Sequence, residues 1–344
     1  LQENIETLYQ LLKIANCDFM VLDTGRIIQE IDKKSFISFE DLKSPYPYPI
    51  QQYAKFALIY WTKENQKNPY IWFLNLPLDE ESRLNTGARN HFVSIIKEAL
   101  GASFSSGDSQ QEIPDNPYIK TPDEKKIAVI NAKLKHKFKQ PVSNDYLKCS
   151  SYFVQPDATS WQAISVQGMA DFITDLSNPV NQRNFDQVFF DLPAPLHKEL
   201  ASLLEHNVIS KALANRLCKS LRQQHFSDIH IVAMWLRLLS SHSNTQMVRE
   251  LVIDLLPTPA GQSADVLVVL TARCWPAFEQ DATLVAYLEH IAQLESLTLF
   301  SSIFADLVAL PSLRNNIFKL LSSSDVLPHT RKALDLMIKK QQGK

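Results

Sequence analysis

Glycine is scarce in this chain, with seven in 344 residues. Glycine supplies the positive φ of tight turns and lets backbone approach a phosphate closely. Its scarcity argues against a hairpin-rich β-protein, leaves little material for nucleotide loops, and predicts a helix-rich chain. No Gly-x-Gly-x-x-Gly, no Gly-Lys-Ser/Thr and no Gly-x-Ser-x-Gly sequence occurs. Cysteine is equally sparse. Cys17, Cys149, Cys218 and Cys274 lie far apart, with no metal-ligand spacing, and read as reduced thiols. The nine histidines include no i, i+4 pair, so neither a metal nor another cofactor is expected. No uncharged apolar run approaches the roughly 20 residues of a membrane helix. Leu1-Gln2-Glu3-Asn4 does not read as a signal peptide, and a cytoplasmic location is the expectation. A formal net charge of −2 provides no global field to recruit nucleic acid or an anionic membrane.

What remains is a globular composition, 45% hydrophobic and 21% charged. Ile5, Leu8, Tyr9 and Leu12 fall at i, i+3, i+4 and i+7, predicting a helix over residues 4–15. Phe19–Leu22 and Ile27-Ile28 flank the turn Asp23-Thr24-Gly25, which suggests a β-hairpin. Residues 54–62 and 70–76 are nearly continuous apolar runs, as in strands covered on both faces. A helix over about residues 85–100 follows. Residues 1–101 therefore read as a small α+β domain of about four mostly antiparallel strands with flanking helices. The serine-, glutamine- and proline-rich stretch 102–122 reads as a flexible linker, and 123–344 as an all-α domain of stacked short helices.

Thr121-Pro122-Asp123-Glu124 has the form of a helix start, with Thr121 as cap. The helix it opens, residues 123–139, carries Lys125, Lys126, Lys133, Lys135, Lys137 and Lys139. It reads either as a solvated face or as a phosphate-neutralising surface for nucleic acid or anionic lipid. Further on, helix starts are expected near 196, 210, 227, 244, 263, 281, 297, 312 and 328. Two helices per unit gives a period of roughly 31–37 residues, near the range of helical-hairpin repeats. The array is either HEAT-like or an irregular bundle. Arg237, Arg249 and Arg273 are candidates for a partner-binding surface, while Trp235 and Trp275 lie in strongly apolar helices and are assigned to the core.

In the α+β part, Asp23 and Arg26 at the hairpin, Gln51 and Asp79 are the candidate ligand-binding residues, because they border apolar strands. Arg26 has a structural alternative, pairing with Asp23 or Asp79. Asp79-Glu80-Glu81 could bind a cation through oxygen or favour the start of the next helix through its dipole. Pro45-Tyr46-Pro47-Tyr48-Pro49 is extended; Tyr46 and Tyr48 either face a partner or pack on the sheet.

Asp23-Thr24-Gly25-Arg26, Pro45–Gln51, Pro69–Leu74, Leu76–Glu80 and Trp161–Gly168 together resemble a gammaproteobacterial family catalogued as a domain of unknown function. The resemblance spans nearly the whole chain and implies a bacterial cytoplasmic protein; it carries no activity. The reading that results is a non-enzymatic interaction or scaffold protein that uses a helical surface to engage a protein partner. An enzyme or small-ligand binder with its site in the α+β domain is the second reading. Nucleic-acid or membrane-surface binding through 123–139 is the third.

Overall fold

A computed structural model describes residues 5–62, 66, 68–106, 114–322 and 326–342. The chain divides into two compact units, Leu1–Asp123 with Ala309–Pro311, and Glu124–Val308 with Ser312–Lys344.

The first unit is built on a four-stranded antiparallel sheet in the order β2-β1-β3-β4. The strands are β1 (Cys17–Asp23), β2 (Gln29–Ile31), β3 (Tyr53–Thr62) and β4 (Tyr70–Pro77). Met20 faces Ile59 and Leu58 faces Trp72, so the two long apolar runs register as the sequence suggested. Residues of both parities along these strands are buried, Phe56 and Leu58 together with Ala57 and Ile59. That double burial explains why the runs are continuous rather than alternating. One face packs on α1 (Leu8–Ile14), α2 (Lys33–Glu40) and α3 (Thr86–Ser106) through Leu8, Leu12, Phe36, Phe39, Phe92 and Ile96.

The first helix starts later than its apolar spacing suggests. Thr7 accepts from the amide of Gln10 while the Gln10 side chain reaches back to the amide of Thr7, a closed capping box. The short helix α2 has no sequence counterpart above: its apolar residues are Phe36, Ile37 and Phe39, too few to set a period, and it is opened by the Asp32 cap. Asn75 N donates to Tyr118 O at 2.8 Å and Lys120 N donates to Phe73 O at 2.9 Å, so residues 118–120 pair with the outer edge of β4.

The second unit is wholly helical among the described residues. Its helices are α4 (Glu124–Phe138), α5 (Asn144–Val154), α6 (Val166–Thr174), α7 (Pro179–Val188), α8 (Ala194–Leu204), α9 (Lys211–Gln223), α10 (Ile229–Leu238), α11 (Gln246–Leu255), α12 (Ala264–Arg273), α13 (Asp281–Gln293), α14 (Leu297–Ala309), α15 (Pro311–Leu321) and α16 (Pro328–Gln342). Short connections make neighbours antiparallel, so alternate helices run parallel and stack. One ladder is α4, α6, α8, α10 and α12; another contains α9, α11 and α13, with α16 closing on α13.

The lysine helix departs from expectation. It begins at Glu124, after Asp123, rather than behind a Thr121 cap. Its apolar side is packed, with Ala128, Val129, Ile130, Ala132 and Leu134 buried, while Glu124, His136 and Lys137 are exposed. Lys125 pairs with Glu199 at 2.7 Å, Lys135 with Asp171 at 3.0 Å, and Lys133 donates to Asn207 Oδ1 at 3.3 Å.

Helix starts are tied to one another by carboxylates. Asp171 of α6 accepts from the amide of Ser143, the cap of α5, at 2.7 Å; Asp145 of α5 accepts from the amide of Ser165, the cap of α6, at 3.1 Å. This reciprocal exchange requires close approach. A Cβ on Gly168 would stand 2.5 Å from Asp145 Cβ and 3.0 Å from its carbonyl carbon. Helix propensity alone would make Gly168→Ala stabilising by about 1 kcal/mol. We expect the reverse, a loss of about 2 kcal/mol from overpacking, read from urea unfolding of the two proteins.

Candidate functional site

The candidates in the α+β unit are spent on one another. Asp23 and Arg26 are fully buried. Asp23 Oδ1 accepts from the hydroxyl of Tyr46 at 2.8 Å and Oδ2 accepts from the amide of Arg26 at 3.1 Å. Arg26 Nε donates to Pro49 O at 3.0 Å. Hairpin and proline segment are thus clamped together, Arg26 bonding Asp23 through its amide and Pro49 through its guanidinium. Tyr46 is fully buried, which corrects its candidacy as a partner surface; its ring packs on Phe39 at 5.2 Å. Tyr48 is half-buried against the same core.

Gln51 lies on an exposed turn, two residues past Pro49, whose carbonyl accepts from Arg26. Gln51 and Gln52 both take positive φ, 51° and 61°, between the paired residues Ile50 and Tyr53. Such a turn ordinarily selects asparagine and glycine, so two glutamines concealed it in the sequence. Asp79 follows Leu78, whose amide donates to Gln52 O at 2.8 Å beside that turn. Its Oδ1 accepts from the amides of Glu81 at 2.9 Å and Arg83 at 2.8 Å, and Glu81 pairs with Arg83 at 3.0 Å. The acidic cluster therefore builds its own turn, and Asn85 caps the following helix through the amide of Ala88.

Of the three arginines, two converge. Arg273 at the end of α12 and Arg237 near the end of α10 both reach Glu205, the residue that ends α8. Arg249 does not join them; it bonds Asn244 O and Gln246 Oε1 at the start of its own helix. Trp235 and Trp275 are core residues, as their apolar helices indicated. Burial pushes the thiol of Cys218 up to about 11 and that of Cys274 up to about 12, and raises Cys149 further. These thiols stay protonated and unreactive near neutral pH.

Sequence reading missed two features. The first is the run Glu205-His206-Asn207, three polar residues all buried. A polar triplet after a helix resembles an ordinary exposed turn, and its partners lie up to 68 positions away. The second is a cleft of about 250 Å³ between the end of α13, the start of α14 and α16. Ala292, Leu297, Phe300, Ala333 and Leu336 give it apolar walls, with Glu295, His329 and Lys332 among its polar lining.

Two buried carboxyls of the α+β unit titrate abnormally. Burial pushes Asp23 up to about 7, against the opposing pull of its bonds from Tyr46 and Arg26. Burial likewise pushes Glu40 up to about 7, against the amides of Tyr9 and Leu8 that it caps. Both folded-state values lie above the ordinary 3.8 and 4.5. The native protein then holds protons that the unfolded chain releases, and stability falls as pH rises from about 4 to about 7. Each group contributes a slope of up to about 1.4 kcal/mol per pH unit. Asp23→Asn should flatten that decline, measured by urea unfolding across the window; an unchanged slope would show that Asp23 is ionised throughout.

Residues 3–338 match the family described as a protein of unknown function, DUF3549. Neither the curated proteins nor the solved structures contain a match. With nearly its whole length matched, the chain belongs to the DUF3549 family.

Proposed function

We propose that this is a non-enzymatic interaction protein whose helical array engages a protein partner through its last helices. The observation that carries this reading is the apolar surface at that end. Phe318, Leu321, Leu327, Leu336 and Ile338 on and between α15 and α16 are exposed, and Leu336 also lines the cleft with Phe300 and Ala333. Leu336 extends the apolar lining of the cleft onto the exposed surface of α16, and an exposed apolar surface at a cleft marks a binding site. A cleft of this size accommodates an anchoring side chain, the usual centre of a protein interface. The interior-facing side of α16 is already occupied, since Glu289 of α13 accepts from the amide and hydroxyl of Thr330 at 2.9 and 2.8 Å.

A ligand site in the α+β unit draws less support, because Asp23, Arg26 and Tyr46 are buried and bonded to each other. Nucleic-acid binding through α4 is likewise disfavoured, since Lys125, Lys133 and Lys135 are held by groups of their own unit.

The test is a photo-crosslinking residue placed at Leu336 in the host cell, with a second chain carrying it at Lys219, an exposed position on α9. A discrete adduct from position 336 and none from 219 is the expected outcome. No adduct, or the same adducts from both positions, would remove the C-terminal helices as the partner surface.

A further inference from the structure

The cleft between α13, α14 and α16 has an apolar floor and a charged mouth. Ala292, Phe300 and Ala333 line it and are buried, while Glu295, His329 and Lys332 line it and are exposed. Both walls are fixed by bonds of their own. Glu289 of α13 holds the start of α16 through the amides of His329 at 3.2 Å and Thr330 at 2.9 Å. On the other side, Glu295 N donates to Ala292 O at 3.2 Å and Phe300 N to Ser296 O at 2.9 Å, which sets the turn from α13 into α14.

Two opposite charges line this cleft without meeting. Among the described residues, neither the Glu295 carboxylate nor the Lys332 ammonium has a hydrogen bond or an ion pair, with the other or with any third group. Lysines elsewhere in the unit do close on a carboxylate, as Lys125 does on Glu199 and Lys135 on Asp171. His329 adds an acceptor. Its Nδ1 lies 2.7 Å from Glu289 Oε1, and a carboxylate only accepts, so Nδ1 donates and Nε2 of the neutral ring keeps its lone pair.

The size of the cleft narrows the ligand. Its volume of about 250 Å³ is below the roughly 300 Å³ at which pockets for drug-sized molecules begin. That space is worth roughly eight waters, hence a ligand of about ten non-hydrogen atoms. A simple carboxylate would match Lys332 and be repelled by Glu295; a simple amine would do the reverse. A head that carries both signs, joined to an apolar tail, satisfies mouth and floor together.

We propose that this cleft binds a free α-amino acid with an apolar side chain the size of leucine or phenylalanine. Lys332 takes the α-carboxylate, Glu295 and His329 Nε2 accept from the α-ammonium, and the side chain packs on Phe300, Ala333 and Leu336. An amino acid seated there fills the space of a partner's anchoring side chain, so the two exclude one another. That exclusion rests on the partner reading above; the binding itself does not.

The experiment is calorimetric titration of the full chain with L-leucine and L-phenylalanine, alongside glycine, N-acetyl-L-leucine and L-leucinamide. Saturable binding of leucine or phenylalanine is expected, with a dissociation constant on the order of 1 mM or tighter. Glycine has the head without the tail and should not bind. Each blocked leucine lacks one charge and should bind about fivefold more weakly than leucine. Lys332→Met and Glu295→Asn should each weaken leucine about fivefold; asparagine suits the left-handed backbone of Glu295 at φ 54°, so that variant keeps the turn. Lys219→Met, on α9, should change nothing. No saturable binding by either amino acid, equal binding of a blocked leucine, or indifference to both variants would overturn the site. The crosslink from Leu336, repeated in cell extract dialysed free of small molecules, separates this site from the partner reading. Leucine binding without any adduct removes the partner and leaves the site; an adduct without leucine binding does the reverse. Where both form, saturating leucine should diminish the adduct, and an adduct indifferent to leucine would overturn the exclusion.

Discussion

Every helix leaves its first amides without partners in its own backbone, and a chain of many short helices multiplies that deficit. The helical unit is built of elements 9 to 15 residues long, lengths at which an isolated helix is marginal in water. Part of the answer is local. Ser165, Asn178, Ser210 and Asp228 cap their own helices. The rest comes from neighbours: Glu40 on the start of α1, Asp145 and Asp171 exchanged between α5 and α6, and Glu289 on the start of α16. A carboxylate from another element satisfies the amides and also fixes where the helix begins, so secondary and tertiary structure are set by the same bonds.

This constraint also explains which features of the fold could be read from the sequence. Helix starts expected near 210, 263, 281 and 297 are found at Lys211, Ala264, Asp281 and Leu297, because cap residues and apolar periodicity are local signals. Strands β3 and β4 were visible for the same reason, as apolar runs long enough to be buried on both faces, whereas β2 lies at Gln29–Ile31, just past the Ile27-Ile28 pair that suggested it. The helix Lys33–Glu40 was not, since Phe36, Ile37 and Phe39 make too short a pattern to establish a period. The start of the lysine helix was misplaced because a threonine–proline pair imitates a cap that the chain does not use there.

The candidate residues were harder to read, and for a different reason. Arg237 and Arg273 could be named as cationic positions, but nothing local says that both meet Glu205, 32 and 68 positions earlier. Asp23 and Arg26 were correctly placed beside each other at the hairpin, yet their burial depends on Tyr46 and Pro49 crossing over them. Charge pattern in a sequence reports which groups exist; only the packing of helices in space decides whether they face solvent, a ligand or each other.

The Arg273–Glu205 pair has a consequence for how the array comes together. Stacked helical hairpins normally gain stability from adjacent units alone, so they can form progressively from one end. Here α12 reaches past α10 to hold the end of α8. Arg237 meets Glu205 from 32 positions later, and the two-pronged bond with Arg273 comes from 68 positions later. The pair thus ties helices that are not neighbours in sequence, coupling units that a simple stack leaves independent.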